Sequence, residues 1–217
     1  MEKTYEERLP DATRALQDAL NILGLTPSAY WAKTDEACPH TGPCRCDTPL
    51  DVKELDLGKT AERIVKMWAE LTRGLREAPP RLTSFESGRT ELQVLDRIQF
   101  VSLCSHHFAP FRGVAHVAYK PNGRVIGASK PARAIDYYAA RPQTQEHLTH
   151  QVAECLWAAL RPEALMVVVQ AEHTCISCRG VRKLGSLFTT SAALGAFEYD
   201  SSARAEAQRY MRLGQPV

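Results

Sequence analysis

Apolar and polar positions change period several times along this chain, and each change marks an element. Between Asp11 and Leu23, Ala12, Leu16, Ala19, Leu20 and Leu23 recur at helical spacing, with Asp11 placed to cap and Gly24 to stop the helix. Thr60 to Leu75 repeats the pattern, with Ile64, Met67, Trp68 and Leu71 on one face and Arg63 and Lys66 toward another, until Gly74 and Pro79-Pro80 end it. From Thr90 the period falls to two. Leu92, Val94, Asp96, Ile98 and Phe100 alternate with their neighbours, and Gly113 to Lys120 reads as the returning strand. Helical stretches follow at Pro131 to Ala140 and Thr144 to Leu160, separated by Arg141-Pro142. The β-branched run Leu165 to Val169 predicts a short strand, Ser186 to Tyr199 its partner, and Ser201 to Leu213 a closing amphipathic helix. The order strand, strand, helix, helix, strand, strand predicts an α+β domain, an antiparallel sheet with helices on one face.

The 217 residues suffice for one substantial core, and no Gly/Ser-rich or Pro-rich linker divides them. Residues 1–56 read as an N-terminal helical extension carrying an irregular insertion, and 57–217 as one catalytic domain. Twenty-seven basic against 25 acidic residues leave a net charge of +2, which excludes nucleic acid or an anionic membrane as a partner chosen by bulk electrostatics. An anionic ligand must then be held by local Arg and Lys. The charged opening from Met1 to Arg8 has no leader character and no run is long enough to span a bilayer, so a soluble, cytoplasmic protein is expected. Seven cysteines, an odd number lying close to histidines, fit thiolate metal ligands in a reducing compartment better than a disulfide framework.

The chemistry concentrates in two places: Cys104-Ser105-His106-His107, and His173-Thr174-Cys175 at the end of the apolar run. Two thiolates and one imidazole hold a zinc ion while leaving its fourth position open, as catalytic rather than structural zinc requires. A water at that position is activated, and each half keeps a histidine not needed for the metal, able to move protons near neutral pH. The pattern reads as a hydrolytic zinc enzyme. Buried cysteines often need no such role, but strand ends and loops favour ligands over core fillers. A second cluster, Cys38, His40, Cys44 and Cys46, falls within nine residues of the insertion Thr26 to Asp56. It reads as a second, structural zinc site, as a loop with free thiols, or as a lid over a neighbouring site.

Four segments, Cys104 to Phe108, Ile126 to Lys130, Arg141 to Glu146 and His173 to Val181, resemble in order and spacing the motifs of GTP cyclohydrolase I. The resemblance runs from about Leu57 to the C-terminus. It implies the tunnelling fold in an oligomeric barrel, a homodecamer of two pentamers with active sites between subunits. It implies zinc on Cys104, His107 and Cys175, and catalysis by His106 and His173. It further implies guanine recognition by Glu146 with Gln145 beside it, and triphosphate contacts from Ser129, Lys130, Arg133 and Arg179. Arg63 and Lys66 match phosphate-binding positions lent by a neighbouring subunit. The reaction implied is hydrolysis of GTP to 7,8-dihydroneopterin triphosphate and formate, feeding pterin, tetrahydrofolate or deazaguanine synthesis. The residue chemistry agrees, since one carboxylate accepts two adjacent guanine N–H donors and a triphosphate needs several local cations. The chain departs from the family at Ser105, where Glu is usual, at Ala128, Pro131 and Cys178, and in the insertion. Ser105 keeps open a related cyclohydrolase with altered nucleotide or incomplete reaction. A nucleotide-binding homologue without turnover is the other alternative, against which the retention of both His106 and His173 argues.

Overall fold

The computed structural model describes residues 3–23 and 57–211, so the cluster Cys38, His40, Cys44 and Cys46 lies outside the described residues. The chain divides into two compact units, Met1–Glu70 and Leu71–Val217. In the first, helix α1 (Tyr5–Ile22) starts earlier than Asp11 because Thr4 and Glu7 form a reciprocal cap. The Thr4 side chain accepts from the Glu7 N–H, and the Glu7 carboxylate accepts from the Thr4 N–H. Asp11 instead takes the Lys3 ammonium at 2.6 Å. Helix α2 (Leu57–Leu71) buries Ala61 and Val65 and leaves Met67 45% exposed, so its inward stripe is narrower and smaller than the large apolar residues suggest.

The second unit is built on a five-stranded sheet. Its strands are β2 (Gln93–Cys104), β3 (Pro110–Lys120), β5 (Pro142–Gln143), β6 (Ala164–His173) and β7 (Phe188–Gly195), in the order β5-β2-β3-β6-β7. The three long pairings are antiparallel, whereas the two-residue β5 lies parallel to the end of β2. The short strands β1 (Ser84–Glu86) and β4 (Arg124–Ile126) form a separate ribbon. Helices α3 (Ser129–Ala139) and α4 (Gln145–Leu160) pack on one sheet face. Ile135, Leu148, Val152 and Leu156 meet Phe111, Val117, Leu165, Val167 and Val169 there.

The opposite face is not bare, which corrects the expectation of helices on one side only. Alternation along β6 sends Met166 and Val168 the other way, where Phe197 of the short helix α6 (Ala196–Tyr199) and Ala207 of α7 (Ser201–Tyr210) cover them. The stretch to Tyr199 that reads as one strand therefore ends at Gly195, whose φ of 65° turns the chain into α6.

Period two also breaks inside β2. Leu92 and Val94 face the α6/α7 side while Leu95, Ile98 and Phe100 face α3/α4, because a bulge between Leu95 and Ile98 flips the phase. Arg97 takes a φ of 57° there. The fully buried His116 on β3 meets the Asp96 carboxylate at 2.5 Å through Nδ1, with the Arg97 N–H 3.4 Å from the same nitrogen. The bulge makes β2 arrive at Cys104 with its sulfur on the helix-covered side.

Candidate functional site

Strand β2 ends at Cys104, which is 6% exposed, and the chain reverses at once. The Cys104 carbonyl accepts from the N–H groups of His107 and Phe108 at 3.3 and 2.9 Å, and Phe108 completes the turn with a φ of 50°. Ser105 N–H donates to the Gln143 carbonyl at 3.2 Å, so β5 exists to pin this turn. Both exposed imidazoles reach the Cys104 sulfur, His106 Nδ1 at 3.9 Å and His107 Nδ1 at 3.8 Å. These distances alone do not separate them.

The second half arrives on β6, paired with β3 so that His173 lies opposite Phe111. The one-turn helix α5 (Thr174–Ser177) follows, fastened by the Thr174 hydroxyl donating to the Pro110 carbonyl at 2.6 Å. It carries Cys175 to the turn after β2. Cys104, His107 and Cys175 then form a group whose donor atoms all lie within 4.8 Å of one another, and among the described residues they are the one such group of three. His106 is outside it. Burial pushes the Cys175 thiol up, the Cys104 thiol beside it adds to this, and Arg179 partly opposes both. Two thiols crowded together with an imidazole suit a soft divalent cation. Cys178 points away, its thiol donating to the Thr174 carbonyl at 2.8 Å.

His173 is half-buried, stacked on the Phe111 ring at 4.4 Å with 4° between planes, and met edge-on by Phe188. Burial pulls its pKa below the usual histidine value, and the Glu146 carboxylate pulls it partly back. Glu146 is exposed in the first turn of α4, whose cap is Thr144 accepting from the His147 N–H at 3.3 Å. Gln145, expected beside Glu146 on the substrate, is turned the other way. It is 1% exposed, and its Oε1 lies 2.9 Å from His173 Nε2. Neither that contact nor the Phe111 stack was legible in the chain, because both join residues from distant elements.

The remaining predicted residues stand further out. Ser129 and Lys130 open α3, whose cap position Ala128 offers no side-chain hydrogen bond, and Arg133 is exposed one turn on. Among the described residues no hydrogen bond or ion pair joins these three to the sulfur cluster. Arg179 is exposed and acts on Cys175. Arg63 and Lys66 are exposed on α2 in the first unit, Lys66 paired with Glu62 at 2.5 Å.

Fold and site together define an α+β protein with a soft-donor metal group at a sheet end, exposed on its histidine side. A profile of the GTP cyclohydrolase I family matches residues 48–212. The chain is 49% identical over 150 residues to GTP cyclohydrolase 1 of Streptococcus suis (strain 05ZYH33), covering 68% of this chain and 80% of that protein. It is 46% identical over 156 residues to the Bacillus subtilis (strain 168) protein of the same name, covering 70% and 82%. For that of Mycobacterium leprae (strain Br4923) the values are 45% over 155 residues, 70% and 76%. Among solved structures, the archaeosine synthase QueF-Like chain in its apo form aligns with 54% of this chain and 97% of its own. A TM-score of 0.36 at 20% identity is too low a likeness to bear on fold or function. The chain belongs to the GTP cyclohydrolase I family.

Proposed function

We propose that this protein is a zinc-dependent GTP cyclohydrolase I that hydrolyses GTP to 7,8-dihydroneopterin triphosphate and formate. The observation that carries the reading is the Cys104, His107 and Cys175 group with His173 held close by, in a chain 49% identical to a GTP cyclohydrolase 1. Cys104, His107 and Cys175 would hold the zinc ion, which would supply the Lewis acidity for activating water. The chain's own residues do the rest. Glu146 accepts two N–H donors from the guanine edge, which selects guanine and fixes its orientation. Lys130, Arg133, Arg179 and the Ser129 hydroxyl hold the triphosphate, supported by the α3 N-terminus, which no side chain caps. His106 and His173 move protons as the imidazole ring opens, formate leaves and the ribose carbons close the new ring.

The tunnelling fold and a homodecamer of two pentamers complete the reading, with residues 57–217 as the catalytic domain and 1–56 as an extension. Open sheet edges support it: among the described residues β7 has one partner, and β2 is paired on its outer side only at Leu103 and Cys104. Arg63 and Lys66 serve a neighbouring subunit's phosphates, and the protein works in the cytoplasm. Zinc-loaded protein given GTP is expected to release formate and a dihydropterin, the latter made fluorescent by oxidation, in equal amounts. Binding of GTP with no formate leaves only the inactive nucleotide-binding homologue, and formate without pterin indicates an incomplete reaction.

A further inference from the structure

His173 Nε2 faces Gln145 Oε1, and everything around Gln145 decides which way its amide points. The amide nitrogen lies 3.0 Å from the Val169 carbonyl, 2.9 Å from the Phe188 carbonyl and 3.1 Å from Thr190 Oγ1. Reversing the amide would set its oxygen against two carbonyl oxygens in a buried place. The hydroxyls agree with this orientation. Thr149 donates to the Gln145 carbonyl at 2.8 Å, so across the 2.7 Å contact it accepts from Thr190, whose lone pair is then free for the Gln145 amide. Gln145 Oε1 is therefore an acceptor and His173 Nε2 must carry hydrogen. Nδ1 makes no hydrogen bond among the described residues.

We propose that Gln145 is the positioning residue of this site, fixing the ring orientation and tautomer of His173 through the contact between its Oε1 and His173 Nε2. Phe111 and Phe188 hold the ring plane while Gln145 holds its rotation. The inference rests on His173 working in proton transfer, as proposed above. It gives Gln145 a role inside the protein in place of a side-chain contact with guanine.

The test is Gln145→Met in zinc-loaded, full-length protein, a change that keeps volume and removes the acceptor. The expected result is a fall in kcat on the order of 10²-fold, the scale of a misplaced catalytic group, with KM and zinc content little changed. In a His173→Ala background the same substitution should cost nothing further, because there is no ring left to position. Equal losses in both backgrounds, or a wild-type kcat in Gln145→Met, overturn the proposal. Should that variant fail to fold, nitrogen NMR of histidine-labelled wild-type protein decides. With the His173 signals assigned by their loss in His173→Ala, hydrogen on Nε2 supports the proposal and hydrogen on Nδ1 defeats it. A His173→Ala protein with full turnover defeats the proton-transfer role itself, and the NMR result still judges the contact with Gln145.

Discussion

Cys175 packs at the edge of the core where its thiol meets that of Cys104 and the His107 imidazole. Cys175→Ala is expected to lose both zinc and formate release, read by metal analysis beside an activity assay. Full zinc in that variant would pass the ligand role to Cys178, which must first give up its bond to the Thr174 carbonyl. Glu146 is a different case, because it is exposed and far from spent. Glu146→Ala should leave zinc in place and weaken GTP use by about 1–3 kcal/mol, the cost of leaving the guanine donors unpaired. It should also let the His173 pKa fall further, since Glu146 is what raises it. Unchanged kinetic constants would remove Glu146 from the guanine site. The three-donor group was legible at this scale because cysteine and histidine are recognisable by type as potential metal donors. Gln145 was not, because nothing in an amide's identity says which buried groups it will meet.

Among elements, the β3/β6 pairing carries the site, since it sets His173 against Phe111 and delivers Cys175 to the turn after β2. Gly113 is the tight point of that pairing. A Cβ there would lie 1.9 Å from the Gln170 carbonyl oxygen and 2.7 Å from Ala171. Gly113→Ala is expected to cost about 2 kcal/mol or more through forced strand separation, seen as a lower Tm at fixed zinc. An unaltered Tm would mean the strands part freely and the register there is loosely held. Most elements could be read from period and punctuation: β6 from its β-branched run, α4 from Thr144 onward, β3 from its return after the metal turn. The phase of β2 could not, because the Arg97 bulge exchanges its two faces and is stabilised by Asp96 and His116, twenty residues apart.

At the scale of the whole molecule, metal count and assembly are the open measurements. If Cys38, His40, Cys44 and Cys46 bind a structural zinc, purified protein carries two zinc ions per chain, and replacing Cys44 and Cys46 together removes one. One zinc in both proteins supports the free-thiol loop. The homodecamer proposed above would be read as ten 24.2 kDa chains by light scattering, and an active monomer would overturn it.

By itself the sequence determined most of the succession of elements, the α+β class and which residue types are suited to metal and proton chemistry. These depend on period, punctuation and side-chain identity, which are local. Only the tertiary structure decided that α6 and α7 close the second face of the sheet. It also gathered the distant Cys104, His107 and Cys175 into one three-donor group, and turned Gln145 inward onto His173. Those outcomes depend on register, on one bulge, and on hydrogen bonds between segments far apart along the chain. A pattern of residue types holds no information about which donor will face which acceptor once strands are paired.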